Sequence, residues 1–264
     1  MGPLILISLL FLAGSYGLSW WAKKMALRGQ AVARATTVPL SQLIEDAASV
    51  AQELGAGSFR QEVKIRGKII CDTPLTAELS RTPCVSYRFS VTREYEESIW
   101  EKDSQGHSSQ RVIRKSEVVA SNEASVPFLL DDGTARILVH PEHAKIEQIQ
   151  THSSFQPAVA KGMGLGLGTF VLNLAINPGS TLGYRYEEHC LPLDQEVTVV
   201  AEAGDEGGQL ALRKPETKDA PYLVSLKTFA ELAQGNKTLV AVLNGTSIGL
   251  AAVAALIFLF GVVR

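Results

Sequence analysis

Cysteine is scarce in this chain. Its three cysteines, Cys71, Cys84 and Cys190, are widely spaced and odd in number. That count excludes a disulfide framework, and the spacing gives no zinc pattern; both suit a reducing compartment. An excess of either sign of charge is also missing. The formal net charge is -2, so no strongly basic surface advertises nucleic acid. No low-complexity tract and no clear repeat interrupt the sequence. The most telling absence is local: from Thr238 to Val263 there is no charged side chain. As a helix that run spans roughly 39 Å, enough to cross a ~30 Å hydrocarbon core with some tilt. Lys237 and Arg264 bound it, and with nothing after Arg264 the chain is expected to end in the membrane.

The N-terminus mirrors this run. Residues 3–21 are apolar apart from three serines and Tyr16, and Trp20 and Trp21 sit where an interfacial aromatic belt belongs. A cleaved signal peptide is the competing reading, but it normally has a positive region before its apolar stretch, and no charge precedes Lys23. Lys23, Lys24, Arg28 and Arg34 follow the segment. The positive-inside rule then predicts an integral membrane protein with two spans, its central domain cytoplasmic and both termini outside.

Residues 22–38 read as a basic juxtamembrane linker. In 39–236 the reading is one mainly β (α+β) soluble domain, barrel- or sandwich-like, flanked by two transmembrane helices, 3–21 and 238–263. Apolar residues at 40, 43, 44, 47, 50, 51 and 54 predict a helix capped by Ser41 and closed by Gly55 and Gly57. From Phe59 the period drops to two: Val63, Ile65 and Ile69 alternate with basic residues. VSYRFSVTREYEESIW and RVIRKSEVVA read as a hairpin around a polar loop. Asp131-Asp132-Gly133 is a turn between two further strands. Strands are expected at 184–188, 197–202 and 222–225, with a turn over 204–208. A short helix capped by Ser225 and ending at Gly235 then leads to the second span.

Constellations that carry chemistry are few. His140 and His143 are three apart, close enough to share a helix face, but Pro141 lies between them and no companion ligand has the right spacing. The sequence therefore predicts no metal site, no catalytic residue and no cofactor. Glu187 and His189 share one strand face, Glu188 and Cys190 the other. Glycines at 162, 164, 166 and 168 lack Walker spacing, so no phosphate loop is read there. Two readings of 161–183 stay open. One is a loop at the membrane edge dipping Leu165, Leu167 and Phe170 into the interface; the other is a loop plus a strand in the core. In the second span Gly245 and Gly249 are four apart with Asn244 beside them, a face on which helices can approach closely, either the first span or a second copy in a homo-oligomer.

Four tracts together resemble a known family: VKIRGKIICDTPLTAELSRTPCVSYRFSVTREYEESIW, EASVPFLLDDGTARILVHP, LGYRYEEHCLPLDQEVTVVAEA and PYLVSLKTFAELA. They look like the GIDE or BAM ("beside a membrane") domain. The resemblance covers 38–236 and both spans, and it is carried best by VPFLL before DDG and by GYRYEE. It implies kinship with mitochondrial and plastid membrane RING-type E3 ubiquitin ligases. A RING holds two zinc ions, each through four Cys or His ligands. Three cysteines with no CxxC pair cannot supply them. What the resemblance carries over is the interaction half: a membrane-anchored sensor module that binds a protein partner, membrane or cytosolic, or lipid at the bilayer surface. The alternative is a ubiquitin transferase acting only with a separate RING subunit.

Overall fold

The computed structural model describes residues 2–102, 108–158, 165–167, 170–172, 181–206, 209–217 and 220–263. In chain order these form helices α1 (Gly2–Arg34) and α2 (Leu40–Leu54), then strands β1 (Arg60–Ile70), β2 (Leu75–Thr76), β3 (Pro83–Lys102) and β4 (Ser108–Ser125). Next come β5 (Phe128–Asp131), β6 (Arg136–Val139), β7 (Lys145–Ile146), β8 (Ile149–Pro157), β9 (Leu165–Leu167) and β10 (Phe170–Leu172). The chain closes with β11 (Thr181–Pro192), β12 (Glu196–Glu206), β13 (Gln209–Arg213), β14 (Leu223–Ser225) and helix α3 (Phe229–Val263). The protein is mainly β, as the alternation predicts. It divides into two compact units: Met1–Gly67 with Asp132–Ala135 and Val197–Arg264, and Lys68–Asp131 with Arg136–Glu196.

In the first unit β12 is the central strand. It pairs with β13 from Glu202 to Glu206, with β14 at Thr198–Val200, and with β1. Alternation dictates the burial in β1, where Val63 and Ile65 point inward, whereas β12 is buried on both faces from Val197 to Asp205. Each large apolar side chain removed from water stabilises by about 1.5–3 kcal/mol. Helix α2 buries Leu40, Leu43 and Ala47 of the predicted face, while Ile44 and Leu54 of that face are exposed.

Its start differs from the sequence reading. Ser41 is not the cap; the helix begins one residue earlier, after Pro39, which makes no side-chain cap bond. The cap comes from far along the chain. Asp132 Oδ2 accepts from the Leu40 amide at 2.8 Å, and Thr134 Oγ1 accepts from the Ser41 amide at 3.2 Å. The other Asp132 oxygen closes its own turn by accepting from the Thr134 and Ala135 amides, with Gly133 at φ +85. So the DDG turn is there, and its second aspartate does two jobs.

The second unit is built on a five-stranded antiparallel sheet. β3 lies between β4 on one side and β11 on the other, and β8 adds beyond β11. The predicted hairpin is β3–β4. Among the described residues β11 accompanies β3 only as far as Tyr95, so from Glu96 to Lys102 the two hairpin strands pair only with each other. One face of the sheet carries a core of Ala77, Cys84, Tyr87, Phe89, Val91, Tyr184, Tyr186 and Cys190. Strand β8 has no counterpart in the sequence reading: IQTHSSFQP alternates too weakly to announce itself. Strands β11 and β12 also run longer than expected, and Gly204 lies inside β12, not in a turn.

α3 is one helix from Phe229, not a short helix followed by a span. Gly235 does not stop it, and Ser225 does not cap it; the Ser225 hydroxyl instead accepts from the Lys227 amide. Thr228 is the cap. Its Oγ1 accepts from the Glu231 amide at 3.3 Å, and Glu231 Oε2 accepts in return from the Thr228 amide at 2.7 Å. This is a capping box, T-x-x-E, and it was legible in TFAE.

Candidate functional site

Three places concentrate specific side-chain contacts. The first is the pairing of α1 with α3, which lie against each other within the first unit. The chain enters its β strands from the end of α1 and leaves them into the start of α3, so the helices run antiparallel. Their less exposed positions recur at coiled-coil spacing: Ser8, Phe11, Ser15, Leu18, Ala22 and Met25 on α1, and Val240, Leu243, Ser247, Leu250, Ala254 and Ile257 on α3. At mid-length the two serines hold each other reciprocally. Ser15 Oγ donates to the Ser247 carbonyl at 2.9 Å, and Ser247 Oγ donates to the Ser15 carbonyl at 3.0 Å. Away from this seam α1 exposes Leu6, Leu9, Leu10, Tyr16 and Trp20, and α3 exposes Val242, Ile248 and Leu256. Among the described residues one helical stretch, Phe229–Leu259, passes as long and apolar enough to cross a membrane.

Gly245, Gly249 and Asn244 are exposed and lie off this seam; a Cβ added at either glycine would meet nothing within 4 Å. The serine pair, not the glycine row, is where α1 and α3 meet. The basic residues after Trp21 lie on helix, which continues to Arg34.

The second place is Glu188, buried to 0 % exposure in the second unit. Ser80 Oγ donates to it at 2.5 Å, the Leu79 amide at 2.6 Å, Thr151 Oγ1 at 3.0 Å and the Ser80 amide at 3.1 Å. Burial alone pushes a carboxyl's pKa up. Here the Ser80 hydroxyl, the two amides and the Thr151 hydroxyl outweigh it and hold Glu188 below its usual range. A carboxylate so occupied has no lone pair aimed at a substrate. Glu188 ties β11 to the 77–82 turn and to β8.

Cys84 and Cys190 lie side by side in the same core, both at 0 % exposure. Burial, then the neighbouring Cys190, pushes the Cys84 thiol up to about 12, and burial raises Cys190 as well. Thiols of that kind are poor nucleophiles at neutral pH. The alternation in GYRYEEHC already placed Glu188 and Cys190 on the face of Tyr184 and Tyr186. What the sequence could not show is which donors meet the carboxylate.

The third place holds the histidines. His140 follows β6 and His143 sits in the next turn at φ +68, a turn closed by the Ala144 amide on the Pro141 carbonyl at 2.9 Å. Among the described residues no group of three or more His, Cys, Asp or Glu is placed to hold a metal ion. Leu165, Leu167 and Phe170 fall in β9 and β10, which pair antiparallel with Phe170 opposite Leu167. The rest of 159–180 lies outside the described residues.

No curated protein and no solved structure significantly matches the chain. One family does: GIDE, described as E3 ubiquitin ligase, matches residues 96–259. That stretch runs from the outer part of β3 through β11 and Glu188 into α3, more than half of the sequence; it contains three of the four tracts from which the resemblance was read and only residues 96–100 of the first. The chain belongs to the GIDE family.

Proposed function

We propose that this protein is a membrane-anchored interaction module of the GIDE family, non-catalytic by itself, whose β domain binds a protein partner or lipid at the bilayer surface. The observation that carries the reading is α3. Its capping box starts it beside the β strands, and its apolar length, Phe229–Leu259, can cross a bilayer without a break. The antiparallel α1, with large apolar side chains exposed off its seam, supports a second span, and the basic residues after Trp21 favour a cytoplasmic domain with both ends outside. Residues 39–236 then form the working part. β9 and β10 supply the apolar hairpin for membrane contact through Leu165, Leu167 and Phe170, and the exposed Gly245, Gly249 and Asn244 supply a face for a second copy.

The family description favours one other reading, a ubiquitin transferase completed by a RING on another subunit. One experiment separates them. The full chain in lipid nanodiscs is incubated with ubiquitin, activating enzyme and a ubiquitin-charged conjugating enzyme, while crosslinking in native membranes identifies what it touches. The module reading expects discharge no faster than without the chain and one stoichiometric partner or a bound lipid. Accelerated discharge by the chain alone would overturn it. A RING protein as the crosslinked partner, restoring discharge when added, would establish the second reading.

A further inference from the structure

The second unit contains a cavity of about 530 Å³ that none of the contacts above uses. Its walls come from the outward face of β3–β4, with Ser86 and Arg88 opposite Ser125 and Glu123, and from the 141–148 loop, with His143, Lys145 and Gln148. Gln148 Nε2 donates to Ser86 Oγ at 2.9 Å, which ties loop to sheet. That volume suits a small molecule or the end of a side chain.

The charges are unusual in what they leave undone. Along the same hairpin, directly opposed charges close on each other: Arg93 on Glu117 at 2.9 Å and Arg114 on Glu96 at 3.3 Å. Arg88 and Glu123 are also directly opposed, yet they form no ion pair among the described residues, and neither does Lys145. Both open cationic side chains line the cavity. His143 joins them from a left-handed backbone position that a turn of this kind ordinarily gives to glycine or asparagine. His143 there lines the same cavity as the Arg88 guanidinium and the Lys145 ammonium.

We propose that this cavity is an anion-binding site, taking a carboxylate- or phosphate-bearing group on Arg88 and Lys145 with His143 as a further hydrogen-bond partner. Arg88 offers a planar fork that matches either group, and Lys145 a point charge. Glu123, at the same cavity, repels an anion and sets a weak, exchangeable affinity. Its position makes the site distinguishable from a merely basic surface.

The test uses the full chain in phosphatidylcholine nanodiscs, with equilibrium dialysis against radiolabelled inorganic phosphate or acetate at ionic strength held constant with sodium chloride. Saturable binding of at least one of the two, one per chain, is expected; phosphate alone assigns a phosphoryl ligand, and acetate alone a carboxylate. Arg88→Gln with Lys145→Gln should weaken binding tenfold or more. Glu123→Gln should tighten it about threefold, and Arg114→Gln, on the outer hairpin, should leave it unchanged. All four side chains are exposed, so each variant should keep the parent's unfolding midpoint, read by circular dichroism. Absence of saturable binding by both anions, or a double variant that binds like the parent, overturns the proposal.

Discussion

At the scale of single residues, Glu188 matters most. Among the described residues it is the acidic side chain buried to 0 % exposure, and it accepts hydrogen bonds from Leu79 and Ser80. Because its folded pKa lies below the ordinary value near 4.5, the stability it confers is fully present above that value and is lost as pH falls through the folded one. Replacing it with glutamine turns one acceptor into a donor facing amides that also donate. Glu188→Gln should therefore cost about 2–3 kcal/mol at pH 7. The cost should shrink as acid protonates the parent carboxyl. Urea unfolding of both proteins between pH 7 and pH 3.5 checks it, and a cost that stays constant with pH would refute the charge argument. Strand alternation had put Glu188 on one face with Cys190 without marking that face as inward. The sequence could not show that Leu79, Ser80 and Thr151 converge there, because more than a hundred residues separate Leu79 and Ser80 from Glu188.

Elements show the same division. The strands with one face in the core, β1, the inner half of β3, β5 and β6, were legible, because a two-residue period follows directly from that burial; β4, in which no residue is buried, was read only as the return strand of the hairpin. So was the buried face of α2. Its cap was not, since the capping oxygen comes from Asp132 and local spacing pointed to Ser41. Removing that oxygen should therefore act on a helix 92 residues away. Asp132→Ala is expected to cost about 1–2 kcal/mol. Amide hydrogen exchange should report faster opening of the first turn of α2, and Ser41→Ala should not reproduce it. Helix α3 carries the contrary lesson. Gly235 looked like a stop, yet a glycine inside a helix costs only ~1 kcal/mol relative to alanine. The capping box at Thr228 and the long apolar run behind it outweigh that.

Between α1 and α3 the contact runs along a different face of α3 from the small-residue row, which the sequence reading offered to either the first span or a second copy. Glycine spacing drew attention to Gly245 and Gly249, whereas Leu243, Ser247 and Ala254 form the seam. Two apolar helices in hydrocarbon gain nothing from excluding water, so small residues and hydrogen bonds decide their register. Ser15 and Ser247 supply both. Changing the pair to alanine should lose about 1–2 kcal/mol of helix pairing and leave the β domain's unfolding in place. A disulfide between cysteines placed at 15 and 247, in a chain whose own three cysteines are replaced by serine, should form readily on mild oxidation. Failure of that disulfide, with the β domain still folded, would rule out this register.

For the molecule as a whole, the antiparallel pair fixes a topological consequence of the proposed anchoring. α1 ends and α3 begins at the β strands, and Lys64 lies 5.9 Å from the ring of Phe229 at that junction. If both helices cross, the two chain ends must emerge on one side and the β domain on the other, whatever the absolute orientation. If only α3 crosses, α1 must leave its partner or lie along the surface, and the two ends separate. Protease-cleavable tags fused before Met1 and after Arg264 distinguish these arrangements in sealed vesicles. The expected outcome is that both tags are cleaved, or both protected, together, while a cleavage site placed between residues 103 and 107 shows the opposite protection. By the positive-inside rule, Lys23, Lys24, Arg28 and Arg34 after the first apolar segment favour the cytoplasmic side for the site at 103–107 in that proposed arrangement. Tags that report opposite faces would leave α3 as the sole span and reduce the serine pair to a contact outside the bilayer, where water competes for both hydroxyls.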